Sequence, residues 1–508
     1  MSRPRSTGFQ STTRREAFSQ ATSSTLQWSR SWRSKEEGRP TADLDGLLAR
    51  YRAIATEIAK TLKKGKRILI VTHIDADGIC SGSIIFASLM RRGANVTLRT
   101  VPDLDPRTIA ALEAEKYDFY IFTDLASTLI GELESALGGR FLVIDHHQIP
   151  AEEIGKAQVV NAWNFGYDGG REACSSSMAY FFAVTFDPSN SDLSPLAVVG
   201  ALADRQDAGP GRSLSGLNET AVQEAQSGGL LAASRDLMFT GRETRPIHEA
   251  IALTSTPFLK GLTGNKDSVL AALHQSGLTL KDGGTWRTIS SLTAEEKMKL
   301  TEVLASTLGP SEGATEALAS LVGEVYAFRF EDAFTPLRDA REFGTLLNAC
   351  GRMGAAGTGV SVCLGDRSEA LKAAMKTLHE YRTGINKALE GLASEPSRIE
   401  PHGRVVLVHG EGLVDEKLLG PVISILTSSL EFKDKVVVGS ASSRGSDLKI
   451  SSRVGDNYEG NVNLGLIMQE AAESVDGVGG GHSMAAGAKI PSSRAVDFSR
   501  AVSEKVSS

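Results

Sequence analysis

Apolar residues in the first half of this chain come in short unbroken runs, and several of the runs end on acids or imidazoles. Arg67-Ile68-Leu69-Ile70-Val71 leads into Thr72-His73-Ile74-Asp75-Ala76-Asp77-Gly78. Phe119-Tyr120-Ile121-Phe122-Thr123 ends on Asp124, and Phe141-Leu142-Val143-Ile144 ends on Asp145-His146-His147. Continuous runs of this length suit strands buried on both faces. Strands are predicted near 67–72, 96–101, 118–123, 140–144 and 158–161, with helices near 82–92, 106–115, 129–137, 175–186 and 193–203. Leu44, Leu47, Leu48, Tyr51, Ile54, Ile58 and Leu62 form an apolar stripe that predicts a preceding helix. Such alternation implies an α/β fold, a parallel sheet with helices on both faces. In open sheets of this kind ligands bind at the carboxyl edge of the strands, where these acids and histidines fall.

The pattern changes after residue 210. Residues 211–400 read as a mostly helical insertion and linker, broken by Gly, Ser and Thr and with few clear strands. A helix around 339–349 runs into Asn348-Ala349-Cys350-Gly351-Arg352-Met353-Gly354, which is expected to leave the helix because of its glycines. A helix near 368–391 is expected to bridge two lobes. From 402 the β/α alternation resumes, with apolar runs at Val405–Val408, Val436–Val438 and Leu448–Ser451 and helices near 420–429 and 463–474. The glycine loop Gly477-Val478-Gly479-Gly480-Gly481-His482 then precedes Ala485–Ile490 and a last helix. The expected organisation is a basic tail over 1–40, a first α/β domain over 41–210, the insertion over 211–400, and a smaller α/β domain over 401–508.

Composition narrows the class of protein. At 508 residues there is chain for about three domains, and 41% hydrophobic with 23% charged residues is ordinary for a globular protein. The net charge is −6, so a nucleic-acid substrate would need a local basic channel and bound cations rather than bulk charge. Cys80, Cys174, Cys350 and Cys363 form no Cys-x-x-Cys pair, which disfavours zinc ribbons and disulfide scaffolds and suits a reducing cytoplasm. No apolar run reaches the roughly 18–20 residues of a membrane span, so a cytoplasmic protein is expected. The first 40 residues carry Arg3, Arg5, Arg14, Arg15, Arg30, Arg33, Lys35 and Arg39 against three glutamates, with Trp28 and Trp32 four apart. Disorder is the expectation there, a nucleic-acid or partner arm the alternative.

His73, Asp75, Asp77, Asp124, Asp145, His146, His147 and Asp204 are the candidate chemistry. A lone Asp after a strand is usually a helix N-cap, and a lone His pair is usually structural. Acids and imidazoles at four separate element ends fit a metal cluster better. Two divalent ions about 3.5–4 Å apart need about six to eight such ligands and one carboxylate between them. Mixed imidazole and carboxylate donors suit Mn2+, with Mg2+ or Zn2+ less preferred. Asp207 is a candidate supporting carboxylate. The glycines Gly479, Gly480 and Gly481 allow close backbone approach to an anion, His482 adds a donor, and Arg453 is placed to contact phosphate. No Walker A sequence and no Gly-x-Gly-x-x-Gly after a strand are present, which disfavours P-loop hydrolysis and dinucleotide binding.

The His-Ile-Asp-Ala-Asp-Gly segment, Asp124, the Asp145-His146-His147 triplet and Asp204 resemble the motifs of the DHH phosphoesterase superfamily. Gly479-Gly480-Gly481-His482 with Ala485-Ala486-Gly487 resembles the signature of the DHH-associated domain. The middle segment from Glu342 to Arg352, with Cys363-Leu364-Gly365-Asp366, is similar to archaeal RecJ-type proteins, including the GINS-associated nuclease. The resemblance implies one metal at His73, Asp75 and Asp124. It implies a second at Asp77, Asp124, His146 and Asp204, with Asp124 between the two. Asp145 would orient a ligand and His147 would face the scissile phosphate. His73 lies two residues before Asp75, as in the RecJ-like pattern, where small phosphoesterases of the superfamily use a spacing of four.

The expected activity is a metal-dependent exonuclease degrading single-stranded DNA or RNA from an end, in replication or repair, with the 5′ end favoured. The alternatives are a nanoRNase or nucleotide phosphatase on short oligonucleotides, and a replisome scaffold that binds GINS and the replicative helicase. The long insertion disfavours the first alternative, and the full set of motif acids disfavours the second as a sole role.

Overall fold

The computed structural model describes residues 41–63, 65–149, 159–255, 257–309, 312–429, 431–443, 445–455, 457–481 and 483–507. The basic 1–40 segment and His482, both singled out from the sequence, lie outside the described residues. Strands β1 (Arg67–His73), β2 (Asn95–Val101), β3 (Phe119–Thr123), β4 (Phe141–Asp145) and β5 (Val159–Asn161) form one sheet in the order β2-β1-β3-β4-β5. All four pairings are parallel. Ile68, Ile70, Ile121, Leu142 and Ile144 point to one face, against the helices Leu44–Lys63, Ala76–Met90, Ser175–Phe186 and Ser194–Ala203. Leu69, Val71, Tyr120, Phe122, Phe141 and Val143 point to the other, against Pro106–Ala114 and Ile130–Leu137. Both faces are therefore buried, which is why the strands read as unbroken apolar runs. Strand order reverses between β1 and β3, so the crevice rule places a ligand at their carboxyl ends.

The insertion is mostly helical with few strands, as expected, but it holds one strand pair that its sequence does not signal. β6 (Leu231–Leu237) and β9 (Val322–Phe328) pair antiparallel over seven residues each. Between them the helices Ile247–Leu253, Lys266–Ser276, Ala294–Leu308 and Glu312–Ser320, with the two-residue strands β7 (Lys281–Asp282) and β8 (Thr285–Trp286), enclose a separate small core around Leu259, Leu273, Ile289 and Leu300. The helix expected to end at Ala349 instead continues through Gly351, spanning Ala340–Arg352, with Asp339 as its N-cap. The 26-residue helix Glu369–Ser394 does bridge the lobes. Its Ala374 and Leu378 belong to the first lobe's core, and its Ile385, Ala388 and Leu392 to the second's.

The second lobe is a mixed six-stranded sheet, β10-β11-β12-β13-β15-β14. Its members are β10 (Ile399–His402), β11 (Val405–His409), β12 (Val436–Ser442), β13 (Asp447–Val454), β14 (Val478–Gly481) and β15 (Ala485–Pro491). The glycine stretch expected as a loop is thus an edge strand, paired with β15. Glycine lowers strand propensity, yet two of these glycines are needed for packing. A Cβ on Gly479 would lie 2.3 Å from the Met468 carbonyl oxygen, and one on Gly481 2.6 Å from Ala486 Cα. Gly480 has open space at the same position. Among the described residues no helix is long and apolar enough to cross a membrane.

Candidate metal centre

β1 delivers His73 to the carboxyl edge of the sheet, and the chain turns at once into the helix Ala76–Met90 rather than starting near 82. Asp75 is the N-cap: its Oδ1 accepts the Gly78 N–H at 2.9 Å. Its Oδ2 lies 2.9 Å from His73 Nδ1. The same side chain therefore starts the helix and faces an imidazole. Gly78 is required by the turn, since a Cβ there would come within 2.4 Å of the His73 carbonyl oxygen. Asp77, in the first turn, is buried and accepts the Ser175 N–H at Oδ2 (2.8 Å) and the Ser176 N–H at Oδ1 (2.9 Å). These are free N–H groups at the start of the helix Ser175–Phe186, a natural anion cradle.

Asp124 follows β3 in a left-handed backbone conformation with φ 62°. Few non-glycine residues adopt it, and such strain tends to persist at functional sites. Its carboxylate sits between the two histidines. Oδ1 is 3.3 Å from His146 Nε2 and Oδ2 is 3.6 Å from His73 Nδ1. Oδ2 is buried and has no hydrogen-bond partner. An unpartnered buried carboxylate oxygen is costly in a folded chain, and a cation is the simplest group to satisfy it.

β4 ends on Asp145, which is fully buried. It accepts hydrogen bonds from Ser127 Oγ (2.6 Å), the His146 N–H (2.8 Å) and His147 Nδ1 (2.8 Å). His146 Nδ1 bonds the Gly169 carbonyl, so the ring presents Nε2 to the acids. That nitrogen is 3.8 Å from Asp77 Oδ2, 3.3 Å from Asp124 Oδ1 and 3.8 Å from Asp204 Oδ2. Asp204 arrives from the end of the helix Ser194–Ala203 and is held by Gln206 Nε2 at 2.8 Å.

Two clusters result, and Asp124 belongs to both. His73, Asp75 and Asp124 bring ligand atoms within 4.8 Å of one another, and so do Asp124, Asp145, His146 and His147. In the second group Asp145 is a poor ligand, because its oxygens are already occupied by Ser127 and the two histidine residues. Asp77 and Asp204 also face His146 Nε2, and each of them accepts hydrogen bonds as well.

The electrostatics fit a site built for positive charge. Burial, with Asp75 and Asp77 nearby, pushes the Asp124 carboxyl up to about 7. Burial also pushes Asp204 up to about 6, with Asp77 and Asp75 adding to it and His146 opposing. Burial would lower both His73 and His146, but the surrounding carboxylates outweigh it and raise them. His147 is likewise lowered by burial and raised more strongly by Asp145, to about 9. Asp145 stays well below the usual carboxylate range: burial opposes this, and His147 and His146 overcome it.

Asp207 takes no part in this arrangement. Its Oδ2 pairs with Arg212 (2.8 Å) and Arg341 (2.8 Å), a structural ion pair rather than the supporting carboxylate expected. The sequence reading missed Gln206, Gly169 and Trp163, whose indole N–H holds the His146 carbonyl at 3.0 Å. Gln206 stood in the open, inside Asp204-Arg205-Gln206-Asp207.

Arg453, on β13, is half-buried beside two further arginines that the sequence reading did not assign. Burial, with Arg352 and Arg205 close by, lowers its guanidinium to about 10. A Cβ on Gly420, at the start of the helix Leu419–Thr427, would lie 3.7 Å from Arg352 Nη1, 3.7 Å from Ser451 Oγ and 3.8 Å from Arg453 Nη2. Arg205 directly follows Asp204, and Arg352 ends the helix Ala340–Arg352, so the group joins the first lobe to the second lobe. Among the described residues none of the three forms an ion pair with a carboxylate.

Three family models match the chain: the DHH family N-terminal domain over 67–202, the DHH-CID domain over 239–322 and the DHHA1 domain over 404–508. An uncharacterized protein of Methanocaldococcus jannaschii is 28% identical over 446 residues, covering 86% of this chain and 92% of that protein. Among solved structures, RecJ from Thermus thermophilus in complex with Mn2+ aligns with a TM-score of 0.55 at 18% identity over 90% of this chain. The chain spans about half of that RecJ, 54%. An exonuclease RecJ bound to manganese aligns with a TM-score of 0.54 at 18% identity, covering 89% of this chain and 93% of that one. CDC45 from Entamoeba histolytica aligns with a TM-score of 0.65 at 12% identity, covering 91% and 99%. With a RecJ-like fold and these three domains in this order, the chain belongs to the DHH superfamily.

Proposed function

We propose that the chain is a divalent-cation-dependent phosphodiesterase that trims single-stranded nucleic acid from an end. The observation that carries this reading is Asp124: a buried carboxylate between His73 and His146, with one oxygen left unpartnered. His73, Asp75 and Asp124 would hold one ion, and Asp77, Asp124, His146 and Asp204 a second, with Mn2+ the favoured metal for such mixed donors. When bound, such ions ease deprotonation of water near neutral pH and offset charge on phosphoryl oxygens.

The protein's own groups do the rest. Asp145 fixes His147 through Nδ1 and keeps it protonated, so the imidazolium can donate to a phosphoryl oxygen or to the leaving oxygen. Arg205, Arg352 and Arg453 supply unneutralised positive charge next to Asp204, suited to the phosphates of a strand passing between the lobes. Space beside Gly480 on β14, where a Cβ would meet nothing, leaves room for a further contact. A chain of phosphates uses all of these groups, whereas a mononucleotide uses few.

The test is Mn2+-dependent hydrolysis of dinucleotides against 20-mers of DNA and RNA labelled at either end. Progressive shortening of the 20-mer from one label supports the reading. Equal or faster turnover of the dinucleotide rejects it in favour of a short-oligonucleotide phosphodiesterase.

A further inference from the structure

We infer that Asn348 is a positioning residue for the metal-ligand loop, a role that rests on the metal-centre reading. Its side-chain Oδ1 accepts the Ala76 N–H at 3.0 Å, across 272 residues of sequence. Ala76 is fully buried and opens the helix that Asp75 caps, so its N–H is one of the donors a helix start leaves without an internal partner. Three residues on from Asn348, along the helix Ala340–Arg352, Gly351 closes on the loop at Ile74. A Cβ there would lie 1.7 Å from the Ile74 carbonyl oxygen.

Ile74 and Ala76 flank Asp75 and sit between His73 and Asp77. The helix Ala340–Arg352 therefore grips the backbone on both sides of one ligand and between the other two. The grip is itself braced at the far end. Glu342 accepts the Glu243 N–H at 2.7 Å and the Thr244 hydroxyl at 2.5 Å, tying the helix to the segment that precedes Ile247–Leu253. The last residue, Arg352, joins the arginine group. One rigid element thus sets the ligand loop and a phosphate contact relative to each other.

The hydrogen bond of Asn348 goes to the loop backbone rather than to a ligand side chain, so its effect passes through the loop. Removing its oxygen strands a buried N–H, and the loop can recover only by moving. Supporting contacts of this type typically control about 10–100-fold in metal affinity or rate.

The experiment uses the full chain with Asn348→Leu and Asn348→Asp, the latter keeping an acceptor oxygen in place. Mn2+ affinity is measured by calorimetry without substrate, and kcat and KM on a single-stranded 20-mer. The expected result is a loss of roughly 10–100-fold in Mn2+ affinity and kcat for Asn348→Leu. KM should hold, and Asn348→Asp should restore most of both. Gly351→Ala, which pushes the Ile74 carbonyl from the same helix, is expected to weaken Mn2+ binding as well. Wild-type Mn2+ affinity in Asn348→Leu, or a lowered melting temperature as the sole change, overturns the inference. Should Asn348→Leu fail to fold, unchanged affinity in Gly351→Ala overturns it instead. A wild-type protein that binds no Mn2+ overturns the metal-centre reading itself, a failure visible before any substitution is made.

Discussion

Asp124 Oδ1 lies 3.3 Å from His146 Nε2, while its Oδ2 turns toward His73 and meets no hydrogen-bond donor. A carboxylate so placed serves charge brought from outside the chain better than it serves the fold. Asp124→Asn is expected to abolish Mn2+-dependent hydrolysis, by about 10³-fold or more, and to remove tight binding of at least one ion. Its ion-free melting temperature should equal or exceed that of the wild type, because a strained site with crowded acids loses one charge. Calorimetric Mn2+ titration and thermal denaturation check both halves.

Proton competition gives a second expectation. Asp124 at about 7 and Asp204 at about 6 hold protons that a cation must displace. Mn2+ affinity should therefore fall as pH drops through 7 and then 6, by up to roughly tenfold per pH unit for each proton displaced. For the ion-free protein the sign is opposite. Carboxyls with raised pKa stabilise the fold fully below their unfolded value and lose that contribution as pH rises through 6–7; His73 and His146, also raised, act in the same direction. The thermal shift on adding Mn2+ should accordingly be larger at pH 8 than at pH 5.5. A shift that shrinks with rising pH contradicts the assignment.

His147 is expected to act as a charged donor. Its pKa of about 9 in the ion-free protein predicts an alkaline limb in kcat at or below pH 9, since bound cations favour the neutral ring. His147→Gln should lower kcat by roughly 10²–10⁴-fold and erase that limb. Mn2+ affinity should change little, which separates this residue from His146.

Loss of Arg453 should be felt in strand binding. Arg453→Ala is expected to raise KM on a 20-mer about tenfold and to reduce the salt dependence of binding by about one phosphate contact. Arg352→Ala should behave similarly, and the pair should be non-additive because both flank Gly420. Steady-state kinetics at several salt concentrations read both effects.

Adjacent glycines on β14 make opposite predictions. Gly479→Ala meets the Met468 carbonyl and should destabilise the second lobe by about 1–3 kcal/mol. Gly480→Ala meets open space and should leave the melting temperature nearly unchanged while raising KM. Denaturation of both variants alongside KM on the 20-mer tests the contrast.

Much of the first lobe was legible because burial on both faces writes itself as unbroken apolar runs. β1, β3 and β4 were found that way, and the residues ending them do converge at one edge. What escaped notice broke local rules for the sake of distant contacts. Gly351 looked like a helix stop, but its missing side chain makes room for Ile74. Gly479 and Gly481 looked like a loop, yet they let an edge strand close on Met468 and Ala486. β6, Leu-Ala-Ala-Ser-Arg-Asp-Leu, carries no alternation and poor strand formers, so pairing with β9 makes it a strand. Asp207 departs from expectation for the converse reason: nothing in its neighbours signals that Arg341, 134 residues away, claims it.

The helix Glu369–Ser394, about 39 Å long at 1.5 Å per residue, is core to one lobe at its start and to the other at its end. Bending this helix would expose apolar residues that it shares with both cores, so one element ties the two lobes together. The spacing of the two lobes is consequently written into the chain itself, as the length of a single helix.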